Sequence, residues 1–199
     1  NIVLTTSLAF IPFNEDFYYA LAAKELNIPL VGFAPTWDSL TNKSMVYPQP
    51  DMMFCWNEAH AEQLEKYHLL SRDKIKKVGA YTFENWLVKQ APTRRDKFCK
   101  KYAFDPKEKI LLYICSSPTV CDNEVPFIAK LALDTSEQIL VQLHPDKPKP
   151  VNLRESPQIK FSKTDSFDNY YHSENVWMIN SSAILEARLL DKNVSIIQT

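Results

Sequence analysis

The sequence predicts an α/β fold built of two Rossmann-like parallel-sheet layers. Apolar runs of strand length alternate with amphipathic stretches of helix length along the chain. That is the pattern of parallel strands covered on both faces. The alternation breaks once, at Pro92 and the charged run "TRRDKFCKKYAFDPKEK", and then restarts. The predicted organisation is a first layer over residues 1–90, a linker over 91–108 and a second layer over 109–199. Asn1 falls in mid-strand, so both layers are expected to be incomplete and the chain to be an internal segment of a longer one.

In the first layer, "NIVLTTS" reads as a short buried strand. "NEDFYYALAAKELN" sets Phe17, Leu21, Ala22 and Leu26 near helical spacing, with Asn14 as N-cap. "IPLVGFA" is a second strand, followed by the polar loop "PTWDSLTNKSMVYPQP". "DMMFCW" is a third strand, Asn57 opens a helix running to about His68, "SRDKIKKVGA" is a turn and short strand, and "YTFENWLVKQ" a short helix. The second layer runs "KILLYICSS" (strand), "NEVPFIAKLALD" (helix), "QILVQLHP" (strand), a Pro/Lys loop and "QIKFS" (strand). "DSFDNYYHS" (short helix), "NVWMINSS" (strand), "AILEARLL" (helix) and "VSIIQ" (strand) complete it.

Composition narrows the function. The net charge of −1 provides no global basic field for nucleic acid. No apolar run approaches the ~20 residues of a membrane span, and the first twenty residues lack the signature of a signal peptide. The four cysteines, Cys55, Cys99, Cys115 and Cys121, form no C-x-x-C pair. Reduced core thiols in a cytoplasmic protein are expected, and a structural zinc site is not. Only Gly32 and Gly79 exist. Neither a dinucleotide-binding G-x-G-x-x-G nor a P-loop can be written with two glycines. A phosphorylated ligand would have to be held by side-chain hydroxyls and a helix N-terminus.

Open α/β sheets bind ligands beyond the carboxyl ends of their strands. Three strand ends here are unusually polar: "CSSP" (Cys115 to Pro118), "LHPD" (Leu143 to Asp146) and "NSS" (Asn180 to Ser182). Capping accounts for one serine of the last corner, not for three polar residues in a row. Ile184 and Leu185 stand where a capping box would put Glu, so Glu186 lies one turn inside the helix on the side of Ser182. Hydroxyls and helix amides suit a phosphate, and a carboxylate one turn on suits a ribose diol. His144 precedes Pro145, which ends the strand and fixes the imidazole's exit direction. Beside the serine corner it becomes a donor to phosphate or to a leaving group.

Other features carry less chemistry. His60 and His68 lack the i, i+4 spacing of a helical metal pair and read as a solvated helix face. His172 has no evident partner. Arg94, Arg95, Lys97, Lys100 and Lys101 read as solvated helix surface with a peripheral contact to anionic lipid as the alternative. Tyr18, Tyr19, Tyr170 and Tyr171 read as core and rim. The loop "PTWDSLTNKS" gathers Trp37, Asp38, Thr41, Asn42 and Lys43 after a strand, a set that points to a ligand or an inter-domain role.

In this order, "TWDSLTNKS", "PDMMFCWNEAHAEQL", "KVGAYTFENW", "LLYICSSP", "QLHP" and "INSSAILEA" resemble bacterial glycosyltransferases of the two-domain GT-B fold that make surface or capsular polysaccharide. The "HP" and "SS" pair is also similar to that of sialyltransferases, Kdo transferases and CDP-glycerol polymerases. The resemblance covers the chain from about Asn1 to Ile197. It implies the rear of an acceptor-side N-terminal domain joined to the front of a nucleotide-donor C-terminal domain, at roughly half the length of a full enzyme. It implies donor contacts from Ser116, Ser117, His144, Pro145, Asn180, Ser181, Ser182 and Glu186, with His144 and Asp38 as catalytic candidates. Trp37, Asp38, Asn42 and Lys43 would lie on the acceptor side. Ser44 stands where such enzymes commonly have glycine, so that loop is expected to differ.

The implied chemistry transfers a sugar from a nucleotide-sugar donor to a glycan acceptor, with no metal and no further cofactor. The implied place is the cytoplasm, with peripheral contact at the cytoplasmic face of the inner membrane. A nucleotide-sugar epimerase of the same fold, and a non-catalytic α/β binding or assembly module, are the alternative readings.

Overall fold

The computed structural model describes residues 1–6, 8–9, 15–84, 88, 92–118, 120–121, 123–145, 153–162 and 167–197. It divides into two units, Asn1–Glu84 and Asn85–Thr199.

The first unit runs β1 (Val3–Thr5), α1 (Asp16–Glu25), β2 (Leu30–Phe33), β3 (Met52–Cys55), α2 (Glu58–His68) and β4 (Ile75–Lys77). Short 3₁₀ turns lie at Arg72–Lys74 and Tyr81–Phe83. The strands form a parallel sheet in the order β1-β2-β3-β4. Helix α2 begins as the sequence requires: Asn57 is extended and its side chain accepts from the His60 amide at 3.0 Å. Helix α1 buries Ala20 and Ala23, whereas the expected apolar face leaves Ala22 and Leu26 exposed. Small alanines let that helix lie close to the sheet. The expected N-cap Asn14 and half of "YTFENWLVKQ" lie outside the described residues.

The second unit runs α3 (Arg95–Tyr102), β5 (Ile110–Ile114), α4 (Val125–Asp134), β6 (Gln138–Gln142), β7 (Ile159–Ser162), α5 (Phe167–Tyr171), β8 (Asn175–Met178), α6 (Ala183–Leu189) and β9 (Asn193–Ile196). Its parallel sheet has the order β7-β6-β5-β8-β9. Alternation along β5 fills two cores. Ile110, Leu112 and Ile114 face a cluster with Phe98 and Cys99 of α3 and Ala183 and Ala187 of α6. Leu111, Tyr113 and Cys115 face Ile128 and Leu131 of α4. Both faces are covered, which is why β5 and β6 are buried throughout.

The expected linker needs correction. Residues 91–108 contain α3, whose Phe98, Cys99 and Tyr102 belong to the second core together with Phe104. Of the charges that suggested a linker, Asp96, Lys97, Lys100 and Lys101 lie on the exposed face of this helix. Arg95 is not solvated surface either: its guanidinium donates to the carbonyls of Pro106, His172 and Glu108 at 2.9, 2.7 and 2.7 Å.

Glycine scarcity has a backbone consequence. Asn27, Leu69, Ala103 and Asp191 all take positive φ, between 53° and 56°. Leu69 and Ala103 directly follow α2 and α3 as their C-caps, a position where glycine is usual.

Candidate functional site

From β5 the chain passes to β6 and β7 on one side, then returns to β8 on the other. The order reverses between β5 and β8, so the crevice outside their carboxyl ends is the switch point where open α/β sheets bind ligands. Register puts the polar residues there together. Ile114 lies opposite Gln142 on one side and Met178 on the other. Two residues further on, Ser116, His144 and Asn180 therefore leave the sheet at one level, on strands about 4.8 Å apart.

The corner after β8 divides its polar groups. Ser181 Oγ accepts from the Ala183 amide at 3.2 Å and does the capping work. Ser182 makes no side-chain capping bond and is exposed. Glu186, one turn on in α6, is half-buried. Ser181, Ser182 and Glu186 line a pocket of about 170 Å³ together with His144 and Pro145. Its remaining wall includes Cys115, Gln142 and Tyr170.

Ser116 and Ser117 are not in this lining. Ser116 is buried, and its Oγ accepts from the Asn180 amide at 3.4 Å. The Ser117 carbonyl accepts from the amides of Val120 and Cys121 at 2.9 and 3.1 Å. Both serines shape the loop behind the pocket. Asp146, the last residue of "LHPD", lies outside the described residues.

Sequence reasoning missed the groups behind the pocket wall. Asn169, fully buried on α5, donates to Gln142 Oε1 at 2.9 Å and to Ser162 Oγ at 3.2 Å. Tyr102 of α3 donates to Ser162 Oγ at 3.1 Å. Glu124, also buried, receives the Ser116 amide and the Tyr113 hydroxyl. Burial, then the neighbouring Glu124 charge, pushes the Tyr113 pKa well above the ordinary tyrosine value, so the phenol stays a donor. A polar residue at the end of an apolar strand, Gln142, is the one sequence signal for the part of this network built on Asn169.

No protein-family model matches the sequence, and a search of curated proteins gives no match. Solved structures do match. UDP-GlcNAc 2-epimerase from Methanocaldococcus jannaschii, in complex with UDP-GlcNAc and UDP, has a TM-score of 0.68 at 16% identity, covering 97% of this chain and 59% of that one. Arabidopsis thaliana UGT89C1 complexed with UDP has a TM-score of 0.58 at 11% identity, covering 97% and 52%. The wall teichoic acid polymerase TagF has a TM-score of 0.52 at 12% identity, covering 84% and 49%.

The two sheets are those of a GT-B fold.

The chain spans only about half the length of these solved structures. In the first unit of this GT-B chain, the expected acceptor-side residues follow β2. Trp37, Asn42 and Lys43 are exposed. The Asp38 carboxylate accepts from Thr36 Oγ1 at 2.8 Å and from the Asn42 side-chain amide, so both oxygens hold the loop's own shape. Ser44 Oγ donates to the Ala9 carbonyl at 2.7 Å. Lys43 lines a separate hollow of about 360 Å³ with Leu40, Thr41, Met45, Tyr67 and His68.

His60 and His68, expected on a solvated face, are buried and pin this loop. His68 Nδ1 accepts from the Val46 amide at 3.0 Å, and its Nε2 lies 2.8 Å from the Leu40 carbonyl. His60 Nε2 lies 2.8 Å from the Trp37 carbonyl. An Nδ1 that accepts and an Nε2 facing a carbonyl assign His68 the neutral Nε2–H tautomer. Among the described residues no cluster of three metal-ligating side chains forms, and no helix is long and apolar enough to cross a membrane.

Proposed function

We propose that this chain is the core of an enzyme acting on a nucleotide-activated sugar, and that its reaction is transfer of the sugar to a surface glycan. The observation that carries the reading is the convergence of His144, Ser181, Ser182 and Glu186 on one pocket at the switch point. In this reading the imidazole and the Ser182 hydroxyl donate to the donor's phosphates, offsetting charge on the departing nucleotide. Glu186 accepts from the ribose hydroxyls. The loop bearing Trp37, Asp38, Asn42 and Lys43 serves the acceptor, with Asp38 as the base once substrate displaces its loop partners. A pocket of about 170 Å³ is small for a whole nucleotide sugar, so it takes the phosphate and ribose only. Work at the cytoplasmic face of the membrane fits an acceptor of this kind.

A second reading is epimerisation of the nucleotide sugar itself, supported by the likeness to UDP-GlcNAc 2-epimerases, whose TM-scores of 0.55 to 0.68 overlap the 0.52 to 0.58 of the polymerase and UGT89C1.

Calorimetric titration with UDP tests the shared part of both readings. A hydrogen bond to a charged group contributes about 1.5–3 kcal/mol, so His144→Ala should weaken UDP roughly 10- to 150-fold with little loss of stability. Ser182→Ala should weaken it by less. Unchanged affinity in His144→Ala would remove the pocket from the mechanism. Product analysis after incubation with UDP-GlcNAc separates the readings, because transfer releases UDP whereas epimerisation leaves the nucleotide attached.

A further inference from the structure

We propose that Glu124 is a positioning residue that fixes the ends of β5 and β8 relative to each other, using Ser116 as the intermediate. Glu124 immediately precedes α4, yet its carboxylate makes no capping bond to that helix. Asn123 supplies one instead, its Oδ1 accepting from the Val125 amide at 3.3 Å. The Glu124 carboxylate is turned inward, leaving the residue only 3% exposed. There the Ser116 amide points at both of its oxygens, at 3.1 and 3.2 Å, and the Tyr113 hydroxyl donates at 3.3 Å.

The chain of contacts then crosses the switch point. Ser116 Oγ accepts from the Asn180 amide at 3.4 Å, and Asn180 directly precedes Ser181 and Ser182. One buried carboxylate therefore sets the end of β5, and through it the start of the serine corner. Burying a carboxylate is costly unless it is met by donors, and a cap here needs no charge. A rigid corner has a use if the pocket must present donors at fixed spacing to a phosphorylated ligand. That use rests on the nucleotide reading above, whereas the clamp itself does not.

Amide hydrogen exchange by NMR, read in parallel with UDP calorimetry, tests the clamp and its use separately. Glu124→Gln keeps the shape but loses an acceptor oxygen. It should speed exchange of the Ser116 and Asn180 amides at least about tenfold, leave Leu140 in mid-β6 unchanged, and weaken UDP several-fold. Ser116→Ala should speed Asn180 and leave the Ser116-position amide protected. Unchanged exchange at both amides in Glu124→Gln overturns the proposal, as does a uniform speed-up that includes Leu140. Faster exchange with unchanged UDP affinity overturns the positioning role. If the wild-type chain binds no UDP, the nucleotide reading fails and the exchange pattern alone decides the clamp.

Discussion

Ser181 and Ser182 are neighbours with different work. Ser181 satisfies the Ala183 amide at the start of α6, and Ser182 leaves capping to it and faces the pocket. Loss of a capping hydroxyl costs about 1 kcal/mol, so Ser181→Ala should lower the urea midpoint while Ser182→Ala leaves it in place. Equal midpoint losses in the two variants would show that the corner does not divide in this way. The sequence marked the corner as polar beyond need but not which hydroxyl was spare. That choice depends on where the chain turns between Asn180 and Ala183, which residue identity does not encode.

At the scale of elements, α5 and the start of the second unit are locked by a titratable group. His172 Nε2 lies 2.6 Å from the Thr93 carbonyl, and its ring sits 4.5 Å from that of Phe98. Thr93 in turn donates through its amide and hydroxyl to Asp168 at 2.9 and 2.5 Å. Burial is the largest influence on His172 and depresses its pKa, against the opposing pull of the Thr93 carbonyl and Asp168. The unfolded chain then binds a proton near pH 6.5 that the folded chain does not. Stability from this residue is therefore full above about pH 6.5 and lost as pH falls through the depressed value. Urea midpoints at pH 7.5 and 5.5 should drop more in wild type than in His172→Gln, and an equal drop would assign the pH response elsewhere.

Elements were legible wherever period and caps agreed. Helix α2 followed from Asn57 and runs to His68 as expected, although the face expected to be solvated carries buried His60 and His68. The roles of its histidines were not legible, because their partners, Trp37, Leu40 and Val46, lie 22 to 28 residues away in a loop without periodicity. The contacts of Arg95 and His172 were not legible for a related reason: the His172 carbonyl that takes Arg95 and the Thr93 carbonyl that faces the His172 ring lie 77 and 79 residues away.

On the scale of the whole molecule, each hydrophobic cluster draws its residues from one unit. Residues 85–199 have two cores on one sheet and a size at which domains fold alone. Expressed by themselves they should unfold cooperatively and bind UDP with the affinity of the full chain. A molten segment, by circular dichroism and heteronuclear NMR, would mean that the first unit supplies stability. The alternation of strands and helices announced two sheets, but charge misplaced their boundary: a basic helix with one buried face, Phe98, Cys99 and Tyr102, looks like a tether when only its lysines and arginines are counted.

The left-handed residues at the helix ends leave this chain with room for improvement by protein engineering. Asn27, Leu69, Ala103 and Asp191 are all exposed, so a smaller side chain there opens no cavity. A left-handed L-residue costs about 1–2 kcal/mol, part of which glycine returns to the unfolded state as extra freedom. Ala103→Gly should therefore raise the thermal midpoint by a few degrees, and a fall would show that Ala103 limits the unfolded chain more than it strains the folded one. Combined with Leu69→Gly, on a different unit and far in sequence, the gains should add. A sequence this poor in glycine thus offers a thermostable variant by introducing two of them, with every residue of the pocket left untouched.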